Sequence, residues 1–305
     1  MQIKNHLKEL EEKPWEFIRE AGRIREKNFG GLVDACSIIN ARSGNCPEDC
    51  AFCAQSAHHG TQVNTYPLLP VDAVTEAANR AFEKGVRRFC IVTSGRGINS
   101  DKELSSIARM VERVRKTGFL PCATLGTLSA PQLRTLKEAG LNRYHHNLET
   151  SKKFFPRICG THTFDERVET ILAAKDAGLS TCSGGIFGLG EDLNDRAEMA
   201  FELARLGIDS VPVNFLMPIP GTPLENADFM TPFEALKSIA LLRHILPEKE
   251  IRVCGGRLTS LRDLHPMIFM AGANGLLMGD YLTTNGRDFA DDLRMIEDLG
   301  MRLHD

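Results

Sequence analysis

The chain has 305 residues with 37 basic and 40 acidic side chains, a net charge of -3, 42% hydrophobic and 25% charged residues, the ordinary balance of a soluble globular protein. That balance leaves no basic footprint for nucleic acid or an anionic membrane, and three Tyr and one Trp are too few for a base-stacking platform. No apolar run is long enough to span a bilayer.

Residues 1–28 read as amphipathic helix with Trp15, Phe17 and Ile18 as apolar contacts. The charged start lacks an apolar h-region, which predicts no secretory signal and a cytoplasmic protein. The chain then alternates. β-rich runs occur at 33–39, 88–94, 120–125, 142–148, 179–187, 210–216, 251–256 and 275–279. Helical patterns lie between them, clearest at 103–115, where Leu104, Ile107, Ala108, Val111 and Val114 keep helical spacing. Others run through 72–84, 131–139, 164–177, 192–206 and 232–246. Gly85, Gly118, Gly140, Gly178 and Gly207 follow helix ends, as terminating glycines do. Eight strand–helix units predict a parallel α/β fold, a closed (β/α)8 TIM-type barrel. An open doubly wound sheet is the alternative, but no G-x-G-x-x-G follows the first strand. The pattern divides a single domain (1–305) into an N-terminal helical extension (1–30), a barrel core (31–285) and a C-terminal helix (286–305, pattern at 287–299).

Nine cysteines is a high and odd number. Without a secretory context disulfides are disfavoured, so metal or redox chemistry is the better reading. Barrels place chemistry at the C-terminal strand ends. There the chain has Cys46, Cys50 and Cys53 after strand one, Cys90 on strand two, Cys122 on strand three, Asn147 and Glu149 ending strand four and Cys182 on strand five. Asn214 is on strand six, Cys254 and Arg257 on strand seven, and Thr283 and Thr284 follow strand eight. One strand cysteine is ordinarily a small core residue. Several aimed into one lumen are less readily explained that way.

Cys46-Pro-Glu-Asp-Cys50-Ala-Phe-Cys53 has C-x3-C-x2-C spacing. Three thiolates can hold three irons of a [4Fe–4S] cube and leave the fourth iron open, whereas most clusters used only for electron transfer have four cysteine ligands. Zinc is the alternative on spacing alone, with His58 or His59 completing four ligands.

With an aromatic residue before its last cysteine, this motif resembles the radical S-adenosylmethionine superfamily. The longer string NCPEDCAFCAQS resembles the biotin synthase family within it. So do RFC (88–90), CATLGTLS (122–129), HNLET (146–150), CSGGIFGLGE (182–191), GTPL (221–224), GGR (255–257), FMAGAN (269–274) and YLTTN (281–285), collinear from about residue 15 to 300.

The resemblance implies that Cys46, Cys50 and Cys53 hold a [4Fe–4S] cluster whose open iron chelates S-adenosylmethionine. One electron then releases methionine and a 5′-deoxyadenosyl radical. The resemblance places Phe52 against adenine, the backbone of Gly184 and Gly185 along the cofactor, Arg167 at its carboxylate and Glu149 at its ribose. The family commonly has Asp at the Glu149 position. Asn147 and Asn214 would hold the ureido ring of dethiobiotin, and Thr283 and Thr284 its tail carboxylate. His145 replaces an amide of relatives and reads as a packed strand histidine. The implied reaction inserts sulfur between two unactivated carbons to close the thiophane ring of biotin. The sulfur comes from an auxiliary cluster, [2Fe–2S] in the family, matched here by Cys90, Cys122, Cys182 and Arg257.

Cys254 departs from the pattern, because relatives have a small hydroxyl residue there. A fourth thiolate predicts a four-iron auxiliary cluster with Arg257 as a donor to sulfide; [2Fe–2S] is the alternative. Cys36 reads as buried core and Cys159 as a loop cysteine, incidental or solvent-exposed. The resemblance further implies a flavodoxin or ferredoxin reductant and a homodimer. Competing readings are another radical enzyme of this group, a maturase or mutase, or a non-catalytic zinc or iron–sulfur protein, which the strand cysteines and the amide and threonine ring argue against.

Overall fold

Polar side chains set the helix ends in the computed structural model, which describes residues 2–304. The Ser100 hydroxyl accepts from the Glu103 N–H to start α4 (Asp101–Lys116), whose first turn is acidic and last turn basic, as the helix dipole favours. Thr163 with Glu166, and Asp192 with Asp195, form reciprocal caps on α6 (Phe164–Asp176) and α7 (Leu193–Leu206). The remaining long helices are α1 (Gln2–Glu12), α2 (Pro14–Phe29), α3 (Val71–Glu83), α5 (Ala130–Glu138), α8 (Pro232–Ile245) and α11 (Phe289–Asp298). Short helices α9 (Arg257–Leu261) and α10 (Met267–Met270) lie between α8 and α11. All five glycines expected to end helices have positive φ.

The strands are β1 (Leu32–Arg42), β2 (Arg88–Thr93), β3 (Leu120–Thr124), β4 (Arg143–His145), β5 (Ser180–Cys182), β6 (Gly185–Phe187), β7 (Ser210–Phe215), β8 (Glu250–Val253), β9 (Gly275–Leu277) and β10 (Arg302–Leu303). They pair in parallel in the order β1-β2-β3-β4-β5-β7-β8-β9, and β9 returns to β1 through Asp34↔Gly275 to Cys36↔Leu277. This is the closed eight-stave barrel expected from the alternation. β6 continues the β5 stave along β7.

Three local departures have physical causes. The expected helix over 1–28 is two helices, because Pro14 lacks an N–H and disfavours helix at the residue before it. The run 179–187 breaks at Ser183 and Gly184, where the chain passes over the Pro212 carbonyl. After β8 the chain turns at Gly256 (φ 74) into α9, so Arg257 begins a helix instead of lying on a strand.

Aliphatic side chains fill the space between staves and helices; Ile91, Ile107, Val111, Leu133, Leu203 and Leu236 are fully buried there. The inner faces of the staves differ. Small barrels ordinarily fill their lumen with branched aliphatics, but here thiols, arginines and carboxylates face inward and leave a cavity. Arg143 forms a two-point pair with Glu250, and Arg252 contacts Asp34 and Glu250, linking β4, β8 and β1.

Arg257 and Asp292 form a fully buried ion pair that ties α9 to α11. Arg257 also donates to Tyr281 Oη (3.2 Å) and the Leu277 carbonyl (3.2 Å), and Arg287 reaches Asp292 (3.1 Å). Removing one partner leaves an unpaired buried charge. Asp292→Ala is therefore expected to destabilise the fold by about 3–5 kcal/mol, read as a lower denaturant midpoint. An unchanged midpoint would show that water reaches the pair.

Candidate active site

A cavity of about 410 Å³ opens at the C-terminal ends of the staves. Its mouth is formed by the loop after β1 and by Thr283 and Thr284; its floor is formed by strand cysteines and arginines.

The loop carrying Cys46, Cys50 and Cys53 is held from several sides. Cys46 N–H donates to the Gln55 carbonyl (2.9 Å), Cys53 N–H to the Cys50 carbonyl (2.9 Å) and Ala51 N–H to the Ile158 carbonyl (2.8 Å). The Asp49 carboxylate accepts from the N–H groups of Gly160 and Thr161 (2.9 and 3.1 Å), which pushes its pKa well below the usual range against the cost of burial. All three cysteines are free thiols lining the cavity. Burial raises the Cys53 thiol to about 11. His58 and His59 are not fourth ligands: their rings contact the carbonyls of Pro47 (2.9 Å) and Cys50 (3.0 Å). Cys159 lies instead with its Sγ 3.9 Å from Cys50 Sγ, and His162 adjoins both. Phe52 is half-buried on the cavity wall.

Above the floor a hydrogen-bonded chain joins β4 to α6. His145 Nε2 donates to Asn147 Oδ1 (2.7 Å), which also accepts from the Gly184 N–H (3.1 Å). Asn147 Nδ2 donates to Glu149 (3.2 Å). Burial lowers His145 to about 4, so its ring is neutral near pH 7. Arg167 donates through Nε to His162 (3.0 Å) and through Nη1 to the Asn147 carbonyl (2.9 Å), 3.6 Å from Glu149. Burial raises Glu149 and Arg167 opposes it. Glu149 holds φ at 69, a conformation that costs a non-glycine residue free energy and marks an imposed geometry. Asn214 donates to the Gly185 carbonyl (3.3 Å) and accepts from the Gly255 N–H (3.0 Å). Each amide keeps one N–H uncommitted among the described residues.

Cys90, Cys122 and Cys182 line the floor together, with Cys254 beside them. Burial raises Cys182 and Cys254, and the neighbouring Cys122, then burial, raises Cys90. The hydrogen bond with Cys90, then Arg88, Arg143 and Arg252, bring Cys122 down to about 7 against burial. Arg257 does not face this floor; its guanidinium is taken by Asp292 and Tyr281. Arg252, two positions before Cys254 on the same stave, lines the floor instead. Cys36 is also on the floor and not sealed core. Strand parity, by which alternate residues share a face, was the signal for both. Gly184 and Gly185 do not line the cavity. A Cβ on Gly184 would sit 2.0 Å from the Pro212 carbonyl oxygen, and one on Gly185 2.3 Å from that of Glu149, so stave packing requires these glycines.

The donor set fits the iron–sulfur groups. Three loop thiols stand free at the mouth. On the floor, soft thiols meet two buried guanidinium Nε atoms, of Arg88 and Arg252, with no partner among the described residues, as a sulfide acceptor would require.

Residues 41–203 match the Radical SAM superfamily, and residues 212–302 match the Biotin and Thiamin Synthesis associated domain. The biotin synthase of Heliobacterium modesticaldum is 54% identical over 285 residues, covering 93% of this chain and 87% of that protein. The chain belongs to the biotin synthase family. Its members from Geotalea uraniireducens and Geobacter sulfurreducens are each 51% identical, covering 92% of this chain and 86% of those proteins. As a biotin synthase family member the chain is a radical S-adenosylmethionine sulfurtransferase that uses a [4Fe–4S] cluster and S-adenosylmethionine. Solved structures of methylornithine synthase (TM-score 0.84, 21% identity, 95% of this chain and 89% of that one) and of the FeFe-hydrogenase maturase from Carboxydothermus hydrogenoformans (0.80, 18%, 94% and 71%) share the fold alone.

Proposed function

We propose that this cavity converts dethiobiotin to biotin by inserting sulfur between two unactivated carbons. The observation that carries the reading is one cavity lined by three loop thiols, two amides with spare N–H groups and a floor of thiols. No acid–base side chain in the cavity can break such C–H bonds. The [4Fe–4S] cluster and S-adenosylmethionine supply that one-electron chemistry, and an auxiliary cluster supplies the sulfur.

Cys46, Cys50 and Cys53 would anchor the first cluster. Arg167 keeps Nη2 without a partner among the described residues and would meet the cofactor carboxylate. Glu149 would take a ribose hydroxyl and Phe52 the adenine face. A ureido carbonyl accepts two hydrogen bonds, which the spare N–H groups of Asn147 and Asn214 can donate. Thr283 and Thr284 at the mouth suit a carboxylate tail. The barrel excludes water and competing hydrogen donors from the reacting carbons. Cys90, Cys122 and Cys182 would hold the auxiliary cluster, and Cys254 brings a fourth thiol, which favours four irons over two.

A flavodoxin or ferredoxin reductant, a homodimer and a cytoplasmic location belong to the same reading. No helix of the described residues is long and apolar enough to cross a membrane.

The test is anaerobic incubation of the reconstituted chain with dethiobiotin, S-adenosylmethionine and a reductant, with mass detection of biotin. Biotin formation is expected. 5′-Deoxyadenosine without biotin would point to another radical reaction, and neither product would leave an iron–sulfur carrier.

A further inference from the structure

The chamber floor carries a thiol that the roles above do not use. Cys36 lies on β1, is 6% exposed and faces the cavity. It packs against Cys254 and Leu277. It is close enough to Cys90, Cys122 and Cys182 to interact electrostatically with each. The other floor thiols have polar partners. Cys90 lies 3.6 Å from Thr124 Oγ1, Cys254 donates to the Arg252 carbonyl at 3.6 Å, and Cys122 and Cys182 are close enough to Cys90 and Ser210 respectively to interact with them. Cys36 Sγ has none among the described residues. It is a soft donor, buried and aimed at a site rich in its own kind.

The competing fourth donor is Arg252. Its Nη1 donates to Ser210 (3.2 Å), and Nη2 contacts Asp34 and Glu250. Binding iron needs a nitrogen lone pair, which a protonated guanidinium lacks. Two facing carboxylates keep the proton on. Only Nε remains buried and without a partner among the described residues, and an N–H there can donate to sulfur but cannot ligate.

We propose that Cys36 supplies the fourth thiolate of the auxiliary cluster, with Cys90, Cys122 and Cys182, while Arg252 donates a hydrogen bond to the cluster from Nε. The inference rests on the auxiliary-cluster reading above and puts Cys36 ahead of Cys254 as the fourth ligand. The Cys36 thiol gives up its proton as iron binds. Four cysteines are the usual complement of a four-iron cluster, so the cluster would be a cube and not a two-iron unit.

The experiment is iron and sulfide analysis with Mössbauer spectroscopy on the full chain, reconstituted anaerobically. Wild type is expected to hold about eight irons with no two-iron signal, and Cys36→Ala and Cys36→Ser about four, those of the cofactor cluster. Cys254→Ala and Arg252→Lys should keep about eight. Thermal melts of the cluster-free proteins check the fold, and Cys36→Ser preserves volume without a soft ligand. About six irons in wild type, with a two-iron signal kept in Cys36→Ala and lost in Arg252→Lys, would overturn the role of Cys36 while the auxiliary cluster stands. Loss of the second cluster in Cys254→Ala but not in Cys36→Ala would also overturn it. About four irons in wild type would sink the auxiliary-cluster reading itself.

Discussion

Replacing Cys50 with alanine should abolish release of 5′-deoxyadenosine from S-adenosylmethionine, not merely slow it. A cube held by three thiolates has no spare anchor. The loop itself should survive the change. Ala51, Asp49 and His59 dock it through the Ile158 carbonyl, the Gly160 and Thr161 N–H groups and the Cys50 carbonyl, none of which needs the Cys50 thiol. Loss of activity with an unchanged melting curve of the cluster-free protein is thus the expected pair of results, and Cys46→Ala and Cys53→Ala should match it. Cys159 stands 3.9 Å from Cys50 Sγ, so a Cys50→Ala/Cys159→Ala double variant removes a neighbouring thiol that could substitute. Deoxyadenosine at the wild-type level from the double variant would sink the assignment.

Asn214→Ala and Asn147→Ala should each weaken dethiobiotin about tenfold or more. Losing one buried hydrogen-bond partner costs about 1–3 kcal/mol, and each 1.4 kcal/mol is a decade in affinity. The two variants should differ in a second respect. The Asn147 side chain also bonds Glu149, which lies 3.6 Å from Arg167. Among the described residues the Asn214 side chain bonds only the backbone of Gly185 and Gly255. Asn147→Ala should therefore also raise the apparent KM for S-adenosylmethionine, and Asn214→Ala should leave it unchanged. Unaltered dethiobiotin affinity in both variants would place the substrate elsewhere.

The barrel was legible because its staves are separated by helices whose apolar stripe, caps and terminal glycines agree with one another. Features resting on parity or on breaks were harder to read. Arg257 seemed to face the lumen because the run 251–256 reads as strand up to Gly256. The strand ends at Val253, and a left-handed glycine turns the next residue outward. Arg252 and Cys36 were hidden by motif and by composition, although Arg252 shares strand parity with Cys254, and Cys36 with Ile38, which also lines the cavity. Gly184 and Gly185 look like cofactor-lining glycines, yet neighbouring backbone accounts for them. A strand of two residues such as β10 carries no period to detect. The loop cysteines, Asn147, Glu149, Arg167, Asn214 and both threonines all reach one cavity, since strand ends and the loops after them converge there whatever their sequence distance.

The seam between β9 and β1 has a consequence for the folding chain. It joins the first stave to the last; a side chain on β1, Asn40, bonds the Leu282 carbonyl across a sequence separation of 242. Contacts this remote form late, since loop closure precedes their reward. Every floor cysteine, from Cys36 to Cys254, lies in the polypeptide before β9. Until β9 docks, then, the thiols are expected to line an open trough. Refolding should consequently be far more sensitive to oxidants than the closed native protein, with the vulnerable period ending when Gly275–Leu277 reaches Asp34–Cys36.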